Sequence, residues 1–354
     1  MTQIPKIANW NLENLVRENV KNLQPYSSAR DEFKGYAQPM VYLDANENPF
    51  SNAINRYPDP QQKELKEVLA TLKNLATKNI LIGNGSDEVL DLLFRAFCEP
   101  RMDNVISLPP TYGMYSVLAA INNIENREVL LQNDFQLNVT AILNSVDANT
   151  KIIFLCSPNN PTGNVFLKES VQEILENFNG LVVLDEAYID FSEEASWLHR
   201  LEEYPNLVIT QTLSKAYASA GIRVGICYAS AEIITVLHKI KPPYNSNTLS
   251  QNKAIEILEK IDKIKSQIAV IKTEKKTLVK ALLQIKFIGK IFKSEANFLL
   301  IQVDDATLRY KQLLDKGFVV RNRSNQPLCE NTLRITIGTP EENKKLIEVV
   351  QQIQ

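Results

Sequence analysis

The chain is poor in the residues that most often bind metals. Its 354 residues include only two histidines and four cysteines. Cys98, Cys156, Cys227 and Cys329 are scattered, without a CxxC pair or a metal-type spacing, and three lie in or beside apolar runs. That pattern argues against a zinc module or a disulfide scaffold, and it predicts buried free thiols in a reducing compartment. His199 and His238 fall outside every motif and read as structural or surface residues. An excess of one charge is missing too. Thirty-nine Lys and Arg against 41 Asp and Glu leave a formal net charge of -2, so no basic field draws nucleic acid or an anionic membrane. No apolar run approaches the roughly 18 residues of a membrane span. The first residues, MTQIPKIANWNLENLV, lack the apolar core of a secretory signal. The expectation is a cytoplasmic protein with no membrane, nucleic-acid or metal partner.

What is present is ordinary globular composition, 44% hydrophobic and 23% charged, in a length that allows about two domains. Leu12, Leu15, Val16, Val20 and Leu23 fall at helical spacing ahead of Pro25 and predict an amphipathic helix. Val41 to Leu43 predicts a short strand, and a helix is expected from about Gln61 to Leu75. From Ile80 the pattern changes to short apolar runs alternating with helices. The runs are Ile80–Ile82, Val105–Leu108, Lys151–Cys156, Leu181–Leu184, Leu207–Ile209 and Ile222–Tyr228. Wholly apolar strands alternating with helices indicate a mostly parallel sheet covered on both faces. A long helical stretch follows, from about Leu249 to Leu283. Further strands are expected at 297–301, 318–320 and 333–337. They predict a smaller α+β domain.

The polar motifs nearly all follow the apolar runs directly. In open α/β sheets ligands bind there, beyond the carboxyl ends of the strands. Gly85, Ser86 and Asp87 begin a helix whose free N–H groups suit a phosphate, although Ser86 and Asp87 also read as plain helix caps. Asp185 follows four apolar residues, where a carboxylate needs a partner. Tyr188, Asn160 and Tyr112 add a phenol, an amide in a Pro-flanked turn and an aromatic face. Lys215 sits between Ser214 and an Ala-rich turn leading to Arg223. A lysine so placed can attack a carbonyl; the competing reading is a solvated loop lysine. Together the set supplies what pyridoxal 5'-phosphate needs: a lysine for its aldehyde, a carboxylate for its ring nitrogen, donors for its hydroxyl and an anion cradle.

SPNNPTG (157–163), DEAY (185–188) and TLSKAYASAGIR (212–223) resemble the fold-type I, aspartate-aminotransferase-like enzymes that use pyridoxal phosphate. Asp185 stands 30 residues before Lys215, and Arg223 stands 8 after it. Within that superfamily LQPY, LDANENPF, RYPDP, GNGSDE, VVR and LRITIGTP resemble the histidinol-phosphate aminotransferase family. The resemblance implies an α/β fold with a large domain built on a mostly parallel, mixed seven-stranded sheet, and a small α+β domain. It implies an N-terminal segment (1–50) joining the small domain, a large cofactor domain (51–250), and a connecting helix with the small domain (251–354). Lys215, Asp185 and Tyr188 would then be catalytic. Gly85, Ser86, Asp87, Tyr112, Asn160, Ser214 and Arg223 would bind the cofactor, with Tyr57 reaching it from the second subunit of a homodimer. Tyr26, Asn48, Arg321 and Arg334 would take the substrate, and Arg323 lies close enough to blur the choice of Arg321. The activity implied is amino transfer between histidinol phosphate and 2-oxoglutarate. An aromatic-amino-acid aminotransferase or a threonine-phosphate decarboxylase of the same fold shares the cofactor motifs.

Overall fold

A computed structural model describes residues 10–24 and 40–353. The large sheet contains β1 (Ile80–Asn84), β2 (Asn104–Ser107), β3 (Glu125–Glu128), β4 (Thr150–Cys156), β5 (Leu181–Asp185), β6 (Leu207–Thr212) and β7 (Val224–Tyr228). Its order is β1-β7-β6-β5-β4-β2-β3. β7 runs antiparallel to both neighbours, and the remaining pairs are parallel. The mostly parallel, mixed seven-stranded sheet expected from the sequence is the one observed.

Helices α1 to α7 span Glu18–Lys21, Lys63–Lys73, Ser86–Phe97, Met114–Ile121, Val139–Asn144, Lys168–Asn177 and Ala231–Ile240. Helices α8 to α11 span Thr248–Glu259, Ile261–Leu282, Ala306–Asp315 and Pro340–Gln352. The second sheet, of β8 (Ile288–Ile291), β9 (Phe298–Val303), β10 (Arg321–Asn322) and β11 (Thr332–Thr336), has the order β10-β11-β9-β8. No helix among the described residues is long and apolar enough to cross a membrane.

Side-chain alternation along the strands builds two cores on the large sheet. In β5, Leu181 and Val183 enter one core with α3 and α7, whereas Val182 and Leu184 enter the other with α2 and α6. Both faces are buried, which is why these strands read as continuous apolar runs. α8 still packs on the large domain, through Ala254 and Leu258. α9 then leads across. Ile264 near its start belongs to the large core, and Leu278 and Leu282 near its end belong to the core of the small sheet.

Several local expectations are corrected. Residues 12–23 do not form one helix. The N–H of Arg17 is bonded to Ala96 O, and the chain makes a 3-10 turn and then the four-residue α1. Leu15, Val16 and Val20 pack there against the large domain, not the small one. The run 41–43 forms no strand among the described residues, and Val41 and Leu43 are 81% and 85% exposed. The helical stretch from 249 breaks at Lys260. The strand expected at 318–320 lies at 321–322, because Phe318 N–H still closes the end of α10 on Leu313 O. β3 and β8 were absent from the expectation. Both are sheet edges, and β3 reads Glu-Asn-Arg-Glu, a polar strand with no apolar signal.

The antiparallel pairing of β7 with β1 sets Gly225 opposite Gly83, and a Cβ on Gly225 would lie 2.2 Å from Gly85 C and Ser86 N. The turn after β1 therefore rests directly on the β7 backbone. Gly225→Ala is expected to cost about 1–3 kcal/mol by overpacking, read as a fall in the urea midpoint at unchanged slope.

Candidate active site

The turn between β1 and α3 is set by Gly85, whose φ of +82 is available to glycine at little cost. A Cβ at this position would lie 2.5 Å from Arg223 Nη2. The bare glycine thus lets a guanidinium lie against the start of the twelve-residue α3, where free N–H groups and the positive end of the dipole already favour an anion. Arg223 is itself fixed by an Nη1–H bond to Ala220 O at 3.1 Å. Ser214 joins from the end of β6, where its N–H donates to Thr212 Oγ1 at 3.1 Å.

Asp185 ends β5 and is 3% exposed. Burial raises its pKa, while two donors favour the ionised form: Tyr115 O–H to Oδ2 at 2.8 Å and Ala187 N–H to Oδ1 at 3.2 Å. Tyr115 is fully buried and stacks on Phe154 with ring centroids 4.8 Å apart. Tyr112 meets the Tyr115 ring edge-on at 5.7 Å and donates its hydroxyl to Asp87 Oδ1 at 3.0 Å. The Asp87 carboxylate therefore holds the tip of the Tyr112 ring.

Lys215 Nζ lies 5.7 Å from the centre of the buried Tyr188 ring. Partial burial lowers its pKa, the positive charge of Arg334 lowers it further, and Asp185 and Asp87 oppose the shift. Asn160, in the turn after β4, accepts a hydrogen bond from Arg334 Nη1. That arginine comes from β11 of the small domain and passes over the Phe298 ring at 5.2 Å. The turn is docked on the small domain a second time, by Glu295 N–H to Gly163 O at 2.7 Å.

These groups enclose one cavity of about 140 Å³. Ser86, Asp87, Tyr112, Asn160, Asp185, Tyr188, Ser214, Lys215 and Arg223 all line it, together with Cys156, Ala187, Thr212 and Ala220. Arg334 reaches it through Asn160. Three of the sequence candidates lie elsewhere, and a fourth falls outside the described residues. Tyr57 is 48% exposed and stacks on Tyr244 at 4.5 Å, away from the cavity of its own chain. Asn48 is exposed and bonded within its own loop, to Phe50 N–H and Asn55. Arg321 is exposed on β10, opposite Arg334. Tyr26 lies outside the described residues. Tyr115 is the residue that sequence reasoning missed. It sits in the apolar helix MYSVLAAI, and the one available signal was its place three residues after Tyr112, one helical turn on.

The donor set fits pyridoxal phosphate. It offers an anion cradle that a side chain at position 85 would fill, a buried carboxylate held by two donors, and an amine of lowered pKa.

The family model for class I and II aminotransferases matches residues 37–350. Histidinol-phosphate aminotransferase of Flavobacterium psychrophilum is 64% identical over 345 residues, which is 98% of this chain and 99% of the relative. The histidinol-phosphate aminotransferase structure from Clostridium acetobutylicum superposes with a TM-score of 0.79 at 24% identity, covering 85% of this chain and 91% of that one. The Sinorhizobium meliloti histidinol-phosphate aminotransferase in complex with pyridoxal-5'-phosphate gives a TM-score of 0.75 at 23% identity, with 84% of each chain covered. At these identities the solved structures show the fold.

Gly85→Ala displaces the Arg223 guanidinium. The expected result is about tenfold weaker binding of inorganic phosphate to the cofactor-free protein by titration calorimetry, close to 1.4 kcal/mol. Gly113→Ala, where a Cβ meets nothing within 4 Å, should bind as before.

Proposed function

The chain belongs to the class I and II aminotransferase family, and from that membership we propose that it exchanges the amino group of L-histidinol phosphate with 2-oxoglutarate. The products are imidazole acetol phosphate and L-glutamate, and histidine synthesis uses the reaction in the opposite sense. The observation that carries the reading is the single cavity into which Lys215, Asp185, Tyr188, Asn160, Ser214 and Arg223 converge. The near-full-length identity to histidinol-phosphate aminotransferases supports the choice of substrate.

Pyridoxal phosphate, when bound, supplies an electron sink that acidifies the hydrogen on the substrate α-carbon. The chain's own residues do the rest. Arg223, Ser214 and the first N–H groups of α3 hold the cofactor phosphate. Asp185 would pair with the ring nitrogen, and the Tyr115 hydroxyl, donating to Oδ2 at 2.8 Å, opposes the burial that raises its pKa. Tyr188 and Asn160 would hold the ring hydroxyl, and Tyr112, fixed by Asp87, would offer its aromatic face to the ring. Lys215 Nζ would hold the cofactor through its aldehyde and would serve as the base that moves the proton at the substrate α-carbon, a task that suits an amine of lowered pKa. Arg334 grips the phosphate of one substrate and the carboxylate of the other, with Arg321, Asn48 and Tyr26 beside it.

The working unit is a homodimer in which Tyr57 of one copy completes the phosphate site of the other. Its support is the position of Tyr57, exposed and outside its own cavity. The cytoplasm is the compartment, consistent with four buried, unpaired cysteines.

Turnover assays on the enzyme loaded with cofactor test the reading. Glutamate-linked exchange with histidinol phosphate should far exceed exchange with phenylalanine or decarboxylation of threonine phosphate; no such exchange would falsify the substrate. Lys215→Ala should lose at least about a thousandfold in rate, and the borohydride-labelled peptide containing residue 215 should vanish.

A separate test addresses Tyr115. Asp185 binds the ring nitrogen as a carboxylate, so cofactor affinity falls as pH drops through its pKa. The Tyr115 hydroxyl lowers that pKa. In Tyr115→Phe the acid limb of the affinity-against-pH curve should therefore move up by about one pH unit, with affinity nearly unchanged at alkaline pH.

A further inference from the structure

The hairpin that brings Arg334 to the site carries more positive charge than a carboxylate requires. In the antiparallel pairing of β10 with β11, Arg321 lies opposite Arg334. The Arg323 N–H bonds Thr332 O at 2.9 Å and continues the same register one step beyond the strand. Alternation along an extended chain then puts Arg321, Arg323 and Arg334 on one face, with Arg323 diagonal to Arg334. Burial and the neighbouring guanidiniums act against the charge of Arg323, and among the described residues no carboxylate is a main influence on either Arg323 or Arg334. Both arginines lie within electrostatic reach of the Tyr188 hydroxyl, at the rim of the cavity.

The loop after β10 also holds unmet hydrogen-bonding capacity. Among the described residues, Arg323 Nε, Ser324 Oγ and Gln326 Oε1 are buried without a partner. Four consecutive residues thus contain three such atoms, two of them able to donate to an anion. Buried donors in a folded protein are met by protein groups, ordered water, an ion or a ligand.

We infer that Arg323 is a specificity-determining residue, which with Arg321 and Arg334 forms a three-guanidinium site for the phosphate dianion end of the substrate. The inference rests on the substrate reading given above. A phosphate monoester carries about -1.5 to -2 charges at neutral pH and offers three acceptor oxygens. A carboxylate carries one charge and its two oxygens match the two-pronged fork of a single arginine. Arg334 therefore serves both half-reactions, whereas Arg323 acts only on the phosphorylated substrate.

The test uses the Arg323→Gln variant of the enzyme loaded with cofactor. KM for histidinol phosphate should rise about tenfold, and competitive inhibition by inorganic phosphate should weaken by a similar factor. KM for glutamate and kcat with saturating substrates should stay within about twofold. Arg323→Lys keeps the charge and loses the fork. It should give a smaller selective rise, about threefold, and it carries the test if the glutamine variant does not fold. An unchanged KM for histidinol phosphate overturns the inference, and so does an equal rise for both substrates. If the parent enzyme turns over other amino donors but not histidinol phosphate, the substrate reading has failed. The inorganic-phosphate arm then still decides the role of Arg323.

Discussion

Asp185 places a carboxylate at the end of a strand that is buried on both faces, and the rest of the site is arranged around the cost of that choice. Burial alone pushes the group toward its neutral form. The opposing force is the hydroxyl of Tyr115, which is exact in position because its ring has nowhere else to go: Phe154 stacks on one side, and Tyr112 abuts its edge. Tyr112 is in turn held at its tip by Asp87, from the first turn of α3. A line of contacts thus runs from the buried carboxylate through two aromatic rings to the helix that begins the anion cradle. The buried carboxylate and the anion cradle are thus joined by one connected set of side chains.

The small domain is tied to this frame at two points on one turn. Arg334 donates to Asn160, and Glu295 N–H bonds Gly163 O three residues on. α9 joins the two cores as a helix of 22 residues, about 33 Å long. The residues that line the cavity therefore all come from the large domain, and the small one reaches it through Arg334 on Asn160.

The central strands and their polar ends were legible because burial on both faces leaves little but apolar residues, so each sudden Gly, Asp or Lys stands out. Asp185 after Leu181–Leu184 is the clearest case. Edge strands escape this logic. β3 faces solvent along one side, and its Glu-Asn-Arg-Glu carries no hydrophobic pattern. Tyr115 escaped for the opposite reason: inside an apolar helix a buried tyrosine looks like core, and only its distance to Asp185, 70 residues away in sequence, reveals its use. Tyr57 was recognised from its motif rather than from any physical signal, and its own chain gives it no place in the cavity.

The pairing of β1 with β7 carries a consequence for the order in which the molecule is made. β1 sits at the edge of the sheet, and β7, some 140 residues later, is its only neighbour there. The same strand supplies the backbone beneath Gly85 and follows directly on Arg223. A ribosome that has released β2 to β6 has therefore exported most of a parallel sheet but no anion cradle. β1 waits for its partner strand until Tyr228 emerges, and closing so long a loop is slow. The turn at Gly85 is seated late, when the last strand of the large sheet slides between two that are already there.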